Sequence, residues 1–529
     1  MLRGDILGER ARLTPDQVAV VYVSTGERVT YGQLDRRATA CARAWVHTLG
    51  LRKGDRVAIL ANNRLEFLEA YFAAIKSGTV LVPLGTKLTP SELEYILRDS
   101  GARALIHASC GAEAVRALAR RMSLDHWLAL DEPAVAGDTS YGDVQAAGAA
   151  AEAKLPPTEP EDLCALLYTS GTTGRPKGVM IPQRMVGWNA YNTAVCWQLR
   201  DTDVSPVFTP LYHAGGFGVF ITPIFSVGGT IVLHDGFNAG EVLRVMETEC
   251  CTVALGVPTI FRFLLRHESF DATDLSRVRW LISGGAPLPP QLVEAYRRKG
   301  IVLRQGYGLT EVGVNCFSMT SREAISHAGA VGRPMMFTEA RLVREDGCEA
   351  GEGEVGELLL RGPHVSKGYW NNPAATAESY EPEGWFRTGD LAVQDESGMV
   401  SIVGRRTDMF ISGGVNVYPP EVEAELMQHE GVADAAVLGV PDPTWGETGV
   451  AFVLSKPGLR LTREELVTYL QGRLAKYKIP KDFVFVASLP RTPYGKVRKR
   501  ELRQAYVDGI VETVSPSPGS GRLEASAVA

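Results

Sequence analysis

The apolar and polar positions of the first 150 residues alternate between strand-like and helix-like periods. Short apolar runs predict strands, at residues 18–23, 28–30, 57–60, 80–83 and 104–107. Thr30 followed by Gln33, and Thr89 followed by Glu92, form pairs that are typical of capped helix N-termini. A further helix is expected at Leu65–Ser77. Repeated βα units predict mostly parallel sheets that are covered by helices.

A second αβ series follows a connector at residues 149–162, which is rich in Ala, Pro and Glu. Its predicted strands lie at 163–167, 179–181, 207–209, 230–233, 253–255 and 280–283, and its helices lie at 183–198, at 240–248 and from Pro258 onward. From about Gly332, short strands at 340–343 and 353–361 indicate a small β-rich subdomain.

The last hundred residues carry a separate αβ pattern. Helices are predicted at 419–429 and 462–474, and strands at 434–440, 450–454 and 483–486. The predicted fold class is therefore α/β, with a large N-terminal domain of helix-sandwiched, mostly parallel sheets, a small β-rich subdomain and a small α+β C-terminal domain. The tail from Thr513 is rich in Ser, Pro, Gly and Ala and is predicted to be disordered.

Composition narrows the class of protein. Of the 529 residues, 45% are apolar and 22% are charged, and the net charge of −6 gives no nucleic-acid footprint. The eight cysteines form no C-x-x-C pair, so we expect neither a zinc site nor disulfides, and we expect reduced thiols in the cytoplasm. The N-terminus is too polar for a signal peptide, and no apolar run reaches the roughly 18 residues of a membrane span. Membrane association through a surface patch stays open.

A loop rich in hydrogen-bond donors follows the strand at 163–167. It reads T-S-G-T-T-G-R-P-K-G, and its candidate anion-binding residues are Thr169, Ser170, Gly171, Thr172, Thr173 and Lys177. Glycines let successive backbone N–H groups point into one concavity, while hydroxyls and a lysine add donors for phosphate. It is not a Walker loop, because Arg175 and Pro176 separate Gly174 from Lys177 and a strand follows. An ordinary surface turn is the alternative.

The segment L-R-Q-G-Y-G-L-T-E at residues 303–311 is the second strong motif. Tyr307, followed by Gly308, offers a flat face for a purine. Thr310 offers a hydroxyl, and Glu311 offers a hard oxygen ligand for Mg²⁺. A strand-end turn with a solvated glutamate is the alternative.

Small or aromatic residues follow two more predicted strands. They are Gly284, Gly285 and Ala286 after residues 280–283, and Tyr212, His213, Gly215 and Gly216 after residues 207–209. Residues without side-chain bulk let a ligand lie against the backbone. A simple turn, or a histidine with a structural role, is the alternative in each case.

Together with W-x-x-T-G-D at 385–390, G-R-R-T-D at 404–408 and P-R-T-P-Y-G-K at 490–496, these motifs resemble those of the adenylate-forming (ANL) superfamily. That family includes acyl-CoA synthetases, luciferases and peptide-synthetase adenylation domains. The resemblance runs from about residue 12 to 505 and is closest to the fatty-acid–CoA ligase branch. It implies that a carboxylate and ATP form an acyl-adenylate and pyrophosphate, and that CoA then yields acyl-CoA and AMP. ATP, Mg²⁺ and CoA are the implied cofactors.

The resemblance also implies a role for each matched residue. Phosphates would be bound by Thr169, Ser170, Gly171, Thr172, Thr173 and Lys177. The other ATP- or AMP-binding residues would be Gly284, Gly285 and Ala286, which line the adenine and acyl pockets, Tyr307, which stacks on adenine, and Gly308 and Thr310. Glu311 would hold magnesium, Asp390 would bind ribose, and Arg405 would contact ribose or phosphate. His213 would lie beside the acyl carboxylate, and Lys496 would meet the α-phosphate. His213, Glu311 and Lys496 are therefore the candidate catalytic residues.

The family's hinge divides this chain into residues 1–406, a mobile domain at 407–512 and the tail at 513–529. The hinge residue, usually Lys or Asp, is Thr407, which is uncharged and stiff at χ1. The ease of domain alternation is therefore in question. The resemblance further implies that CoA binds at Ser412, Gly413 and Gly414. Position relative to the motifs assigns an acyl pocket to Trp188, Tyr212, Gly215, Gly216, Phe217, Val314, Met335 and Met336. Ordinary core packing is the alternative for the pocket residues.

A hydrophobic acid of medium to large size, whether fatty, aryl or polycyclic, is the expected substrate. A peptide-synthetase domain would carry an acid to clamp an amino group, and residues 208–233 contain none. A ligase that runs mainly one half-reaction, a luciferase-like oxygenase and a non-enzymatic binding protein are the alternatives. The expected partners are the acid, ATP and CoA, without nucleic acid or a transmembrane segment, and a homodimer is a possible assembly.

Overall fold

The computed structural model describes residues 4–169, 175–492 and 497–509. The first part of the chain contains β1 (Val18–Tyr22), β2 (Glu27–Thr30), β3 (Arg56–Leu60), β4 (Val80–Pro83), β5 (Ala102–His107), β6 (His126–Ala129) and β7 (Thr139–Ser140), with helices α1 (Ile6–Leu13), α2 (Tyr31–His47), α3 (Leu65–Ser77), α4 (Pro90–Ser100), α5 (Ala112–Ala119) and α6 (Tyr141–Ala150). The expected capping boxes form at the starts of α2 and α4.

The middle of the chain continues the alternation. It contains β8 (Leu163–Thr169), β9 (Lys177–Pro182), β10 (Val204–Val207), β11 (Thr230–Leu233), β12 (Val253–Gly256), β13 (Trp280–Ser283), β14 (Leu303–Gln305) and β15 (Phe317–Ser318), with α7 (Gln183–Cys196), α8 (Ala214–Gly216), α9 (Thr222–Val227), α10 (Ala239–Thr248), α11 (Pro258–Arg266), α12 (Pro290–Arg298) and α13 (Ser321–Ser326).

The remaining elements belong to the last two hundred residues of the chain. They are β16 (Arg333–Pro334), β17 (Glu339–Val343), β18 (Gly356–Arg361), β19 (Phe386–Gln394), β20 (Val400–Arg405), β21 (Phe410–Ser412), β22 (Val415–Val417), β23 (Val432–Asp442), β24 (Gly446–Ser455) and β25 (Asp482–Phe485), with α14 (Pro373–Ser379), α15 (Pro419–Leu426), α16 (Arg463–Leu470) and α17 (Lys499–Val507).

Parallel pairing dominates the sheets of the N-terminal part. One sheet has the order β7-β6-β5-β3-β4-β8-β9 and is parallel except between β8 and β9. A second has the order β10-β11-β1-β2, and a third, parallel sheet has the order β12-β13-β14. The second and third sheets are adjacent, and the Thr252 backbone N–H beside β12 donates to the Val204 carbonyl of β10. The expected βα architecture is confirmed.

Alternate residues of each strand pack against different helical layers, as the period of two requires. Val57 and Ile59 belong to the core that α2, α3, α7 and α9 fill between the two large sheets, whereas Ala58 and Leu60 pack under α4 and α5. On the other sheet, Val232 contributes to a third core, under α10, α11 and α12. The large N-terminal region is therefore a five-layer αβαβα arrangement.

The β-rich region and the C-terminal region also have the expected character. Strands β17-β18-β19-β20 form an antiparallel sheet, and the last sheet has the order β22-β21-β24-β23 with β25 parallel to β24. Helices α15 and α16 cover this last sheet around Phe410 and Val437. The α/β class with a small α+β C-terminal unit is confirmed. The domain boundaries stay a prediction, and the tail at 513–529 lies outside the described residues.

The bounds of several elements differ from the sequence predictions. The strand expected at 207–209 is β10, which ends at Val207. Beyond it the Asn63 side chain donates to the Thr209 carbonyl at 3.1 Å and accepts from the Leu211 N–H at 2.8 Å, which draws the chain away from the sheet. Helices α7, α15 and α16 end earlier than expected, at Cys196, Leu426 and Leu470. Within the described ranges, none of the helices combines the length and the apolar character that crossing a membrane requires.

Candidate active site

The carboxyl ends of β13 and β14 bring the glycine segment beside the Tyr307 segment. The Gly306 N–H donates to the Ser283 carbonyl at 2.7 Å. The Gln305 side chain accepts from the Leu288 N–H at 2.8 Å and donates to the Ala286 carbonyl at 3.3 Å, so it fixes the loop that follows β13. Sequence reasoning missed this role of Gln305, because its partners become visible only when the strands are paired.

The backbone of that loop faces open space. A Cβ atom added at Gly284 or Gly285 would meet no atom closer than 3.8 Å. Gly285 also has a φ of +77°, which disfavours any residue with a side chain. The two glycines therefore present bare backbone at the edge of the sheet, as expected for a surface that a ligand covers.

Tyr307, Asp390 and Arg405 form a hydrogen-bonded set. The Tyr307 hydroxyl donates to Asp390 Oδ2 at 2.6 Å, and Arg405 Nε donates to Oδ1 at 3.1 Å. Antiparallel pairing of β19 with β20 places Asp390 directly opposite Arg405. Burial and then the Asp390 charge raise the pKa of Tyr307 well above its usual value, so the phenol keeps its proton. Burial alone would lower the pKa of Arg405, but the Asp390 and Asp408 carboxylates raise it.

Glu311, Tyr369 and Lys177 form a second set. The Tyr369 hydroxyl donates to Glu311 Oε1 at 2.9 Å, and Lys177 Nζ lies 5.1 Å from the centroid of the Tyr369 ring. Burial and then the Glu311 charge raise the pKa of Tyr369. Tyr369 is a second residue that sequence reasoning missed, because its partner lies 58 positions earlier in the chain.

The donors around Glu311 fit magnesium only when substrate oxygens complete the coordination. Groups of three or more His, Cys, Asp or Glu side chains able to hold a metal are absent from the part of the chain that the structure describes. Glu311 is half-buried, and its carboxylate is a hard oxygen ligand; the preceding residue, Thr310, carries a hydroxyl group. Mg²⁺ commonly takes one or two carboxylates together with substrate phosphates, so this donor set is compatible with it.

Much of the predicted phosphate loop, and the predicted catalytic lysine, lie outside the described residues. These positions are Ser170, Gly171, Thr172, Thr173 and Lys496. Thr169 is described: it ends β8 and lies opposite Lys177, the first residue of β9. The two ends of the loop are thus held together by strand pairing.

The segment after β10 folds back on itself at His213. The His213 N–H donates to the Pro210 carbonyl at 3.2 Å, and the Gly216 N–H donates to the His213 carbonyl at 2.9 Å. A Cβ atom at Gly216 would lie only 2.5 Å from the Pro210 carbonyl oxygen. The direction in which a side chain at position 216 would point is therefore filled by the chain's own backbone, so this turn itself requires a glycine, and the place of Gly216 in an acyl pocket stays a prediction. Gly215 lies in the same short helix. His213 is exposed, and Tyr212 is half-buried with its hydroxyl bonded to Thr86.

The residues predicted to line an acyl pocket occupy different environments. Trp188 packs edge-on against Phe337, with ring centroids 4.9 Å apart. Met335 is buried, whereas the Met336 side chain is 67% exposed. Trp188 and Phe337 therefore form a partly exposed aromatic pair, Met335 belongs to the core, and Met336 lies at the surface.

A π-helical turn at Phe217–Ile221 continues α8 beside Val314. Its Gly218 carbonyl accepts from the Asn189 side chain at 2.6 Å and from the Asn315 side chain at 3.3 Å. Val314 has a φ of +62°, a strained conformation for a β-branched residue. A Cβ atom at Gly218 would lie 2.6 Å from the Val314 side chain. The π turn and the strained valine are thus in direct contact, a pattern frequent at functional sites.

Phe217 itself faces the protein interior. Its ring stacks on Tyr71 of α3, with centroids 4.0 Å apart, and it also contacts Phe67. Only 5% of Phe217 is exposed. The described contacts are those of a core residue, which favours the alternative stated for it above.

Thr407, the predicted hinge, lies in an exposed turn between β20 and β21. The N–H groups of Asp408 and Met409 both donate to the Arg405 carbonyl, at 3.1 and 2.9 Å. The neighbouring Arg406 places Nη1 3.6 Å from Glu357 Oε2 in the β-rich sheet. A positive charge at this junction is therefore carried by Arg406, the residue that precedes the predicted hinge residue.

The predicted CoA-binding residues form the β21–β22 hairpin. Ser412 is buried, and Gly413 and Gly414 have φ values of +60° and +82°, as a tight two-residue turn requires. A Cβ atom at Gly413 would lie 2.8 Å from the Trp445 indole, which is 43% exposed. Lys481 Nζ lies 4.9 Å from the centroid of that indole. Trp445 is a third residue that sequence reasoning missed.

Comparison with known proteins gives matches along nearly the whole chain. A family model described as AMP-binding enzyme matches residues 7–370, and one described as AMP-binding enzyme C-terminal domain matches residues 421–496. A feruloyl-CoA synthase of Amycolatopsis sp is 41% identical over 94% of this chain and 97% of its own length. The long-chain-fatty-acid–CoA ligase FadD13 of Mycobacterium tuberculosis is 36% identical over 95% of this chain and 98% of its own. ATP-bound MatB from Rhodopseudomonas palustris superposes with a TM-score of 0.86 at 32% identity, covering 96% of this chain and 99% of MatB.

Proposed function

Because this chain belongs to the AMP-binding (ANL) enzymes and is an AMP-forming acid–thiol ligase that uses ATP and CoA, we propose that it converts a hydrophobic carboxylic acid of medium to large size into its CoA thioester. In the first step a carboxylate oxygen bonds to the α-phosphorus and the bond to pyrophosphate breaks. In the second step the CoA sulfur bonds to the acyl carbon, the bond to AMP breaks, and the thiol proton leaves.

The apolar residues predicted for the acyl pocket support the choice of a hydrophobic acid. Residues 208–233 contain no acidic side chain, and the Trp188–Phe337 pair and buried Met335 supply apolar surface. Two relatives are named for feruloyl and long-chain fatty acyl groups, which supports a hydrophobic acid here as well. Each buried methylene adds about 0.8 kcal/mol of binding free energy, so such a pocket favours larger acids.

For the first step we assign the nucleoside to the Tyr307 set. The Tyr307 ring would stack on adenine against Gly284, Gly285, Ala286 and Gly308. Asp390, held by two donors, would accept the ribose hydroxyls, and Arg405 would lie beside it. Preorganised groups of this kind need no rearrangement when the nucleotide binds.

The phosphates are assigned to the loop and to its two fixed ends. Thr169 to Thr173 and Lys177 would bind the triphosphate, with Thr310 and Glu311 across from them. Magnesium, when bound at Glu311, would offset phosphate charge. Lys496 would stabilise the charge that develops on the α-phosphate, and His213 would lie beside the acyl carboxylate.

The second step is assigned to a rotation of residues 407–512 about Thr407. The hairpin at Ser412, Gly413 and Gly414 would then reach the acyl-adenylate and pass the pantetheine arm. Exposed Trp445 beside Gly413 offers an apolar face for that arm. A protein that runs mainly one of the two steps is the alternative, favoured by the uncharged Thr407.

A panel of carboxylic acids tests the proposal. Acetate, dicarboxylates, fatty acids of increasing length and aryl acids would be incubated with ATP, Mg²⁺ and CoA, and both AMP release and thioester formation measured. We expect kcat/KM to rise about a hundredfold or more from acetate to the best hydrophobic acid. Highest activity with acetate or with a dicarboxylate would contradict the substrate class.

Two further parts of the proposal concern the setting of the enzyme. We propose a cytoplasmic location, where ATP and CoA are supplied together, and a homodimeric assembly. Fractionation of cells that produce the tagged protein checks the first. Light scattering at several protein concentrations checks the second, and a mass near the monomer's 57.3 kDa at all of them would contradict it.

A further inference from the structure

Tyr369 belongs to a short segment that pairs with the strand leading out of the phosphate loop. The Met180 N–H donates to the Gly368 carbonyl at 2.9 Å, and the Trp370 N–H donates to the Gly178 carbonyl at 2.8 Å. Tyr369 therefore lies directly opposite Val179, two residues from Lys177. Its backbone is fixed relative to the strand that begins with that lysine.

The same segment is fixed from its other side. The Tyr369 N–H donates to Thr376 Oγ1 at 3.0 Å. Gly368 has a φ of +105°, and a Cβ atom there would lie 2.5 Å from the Thr376 methyl group. Only 8% of Tyr369 is exposed. The side chain is therefore buried on a fixed backbone, and it extends toward Glu311 and Lys177.

In that direction the tyrosine contacts two charged groups of opposite sign. Its hydroxyl donates to Glu311 Oε1 at 2.9 Å, and its ring lies 5.1 Å from Lys177 Nζ. The segment also holds the glutamate by its backbone, because the Ser366 N–H donates to the Glu311 carbonyl at 2.8 Å. One side chain thus spans the groups assigned to the metal and to the phosphates.

We propose that Tyr369 is a positioning residue that orients the Glu311 carboxylate for magnesium and sets its distance from Lys177. This inference rests on the proposed function, in which Glu311 binds Mg²⁺ and Lys177 binds phosphate. A hydrogen bond to a ligating carboxylate fixes its orientation, and loss of such a partner typically lowers metal affinity about 10- to 100-fold. The ring contributes separately, through cation–π attraction to the lysine.

The substitutions Y369F and Y369L separate the two contacts. Phenylalanine removes the hydroxyl and keeps the ring, whereas leucine removes both. Y168F is the matched control: Tyr168 lies on neighbouring β8, is partly buried, and also donates to a carboxylate, Asp99 Oδ2, at 2.6 Å. Calorimetry would measure ATP binding in EDTA and over a range of free Mg²⁺, beside the Mg²⁺ dependence of pyrophosphate exchange.

For Y369F we expect the Mg²⁺ concentration at half-maximal ATP binding to rise about tenfold, with ATP binding in EDTA unchanged. Y369L should weaken ATP binding in EDTA about threefold in addition. The double variant E311Q/Y369F should match E311Q alone, since Tyr369 acts through Glu311. A merely structural role would not produce this non-additivity.

Three results would overturn the inference. They are an unchanged Mg²⁺ dependence in Y369F, additive effects in the double variant, and an equal shift in Y168F. If E311Q itself leaves the Mg²⁺ dependence unchanged, the metal assignment of the proposed function fails together with this inference. If E311Q shifts it and Y369F does not, only the role of Tyr369 fails. Melting temperatures of all variants identify a loss of folding.

Discussion

The substitution Y307F tests whether Asp390 is held in place for a nucleotide before the nucleotide arrives. Phenylalanine keeps the ring that would stack on adenine and removes the hydroxyl that donates to Asp390 Oδ2 at 2.6 Å. Asp390 is only 5% exposed, so water replaces the lost donor poorly. Arg405 Nε remains as its partner, at 3.1 Å.

Two different magnitudes follow. A hydrogen bond to a charged group contributes about 1.5–3 kcal/mol to folding, so Y307F should lower the free energy of unfolding by about 2 kcal/mol. The loss in ATP affinity should be smaller. A carboxylate held by one donor must be immobilised when the ligand binds, which costs about 0.5–1.5 kcal/mol, equivalent to about a two- to tenfold rise in the ATP dissociation constant.

Calorimetry with ATP, urea unfolding and the KM for CoA give the readouts. Y506F is the matched control, because the Tyr506 hydroxyl also donates to an aspartate, Asp482 Oδ2 at 2.9 Å, in the C-terminal unit. We expect Y506F to lower stability without changing ATP affinity. An ATP affinity in Y307F equal to that of Y506F would refute the preorganisation argument, and so would an equal effect on the KM for CoA.

Four further substitutions test other parts of the site and fold. W445A should raise the KM for CoA about tenfold and leave that for ATP unchanged in steady-state kinetics, because the exposed indole lies beside Gly413; equal changes would argue against a CoA role. E69Q should flatten the pH dependence of stability, because burial raises the pKa of Glu69 to about 7. The stability that the protonated Glu69 contributes is fully present below the ordinary pKa of 4.5. About 3 kcal/mol of the free energy of unfolding is lost as the pH rises through 7. Urea unfolding at pH 5 and pH 8 measures this change in stability. A change in E69Q equal to that of the wild type would contradict the raised pKa of Glu69. K496A should lose acyl-adenylate formation far more than transfer from synthetic acyl-adenylate to CoA. Equal losses would contradict the assignment of the two steps to two orientations of the C-terminal domain. T407K should change the ratio of pyrophosphate exchange to acyl transfer several-fold; a constant ratio would show that the uncharged hinge has no consequence.

Elements with local signals were predicted closely from the sequence. Strand β13 occupies the expected residues, Trp280–Ser283, because an apolar run between polar positions specifies it. Helix α4 begins at Pro90 as expected, because the Thr89–Glu92 capping box is encoded within four residues. Strand β10 was misplaced because Asn63, far away in sequence, captures the backbone after Val207.

The site shows the same division between local and long-range information. The family resemblance assigned Tyr307 and Asp390 to one nucleotide site, and in the structure they form a hydrogen bond across 83 positions. The roles of Tyr369 and Gln305 depend on which segments pair, and no local pattern encodes that. The structural requirement for glycine at position 216 was missed for a similar reason, since its Cβ direction is filled by Pro210, whose backbone returns only through the folded turn.

The charges around the predicted hinge limit how strongly Thr407 biases the two poses. Arg405 lies within β20 and pairs across the ladder with Asp390, so a rotation that begins at residue 407 leaves this ion pair intact. Arg406 stays as well, because its N–H donates to the Gly389 carbonyl at 2.9 Å and its guanidinium lies 3.6 Å from Glu357, which both precede the hinge. Asp408 would move, and its carboxylate acts on Arg405 across the hinge. An interaction of this kind with a solvent-accessible arginine contributes about 0–1 kcal/mol. About 1 kcal/mol corresponds to roughly a fivefold change in the ratio of poses, so the charges on the two sides of the hinge supply a modest, reversible preference although the hinge residue is neutral. The two half-reactions should therefore differ by a few-fold through this contact, which is too little to confine the enzyme to one of them.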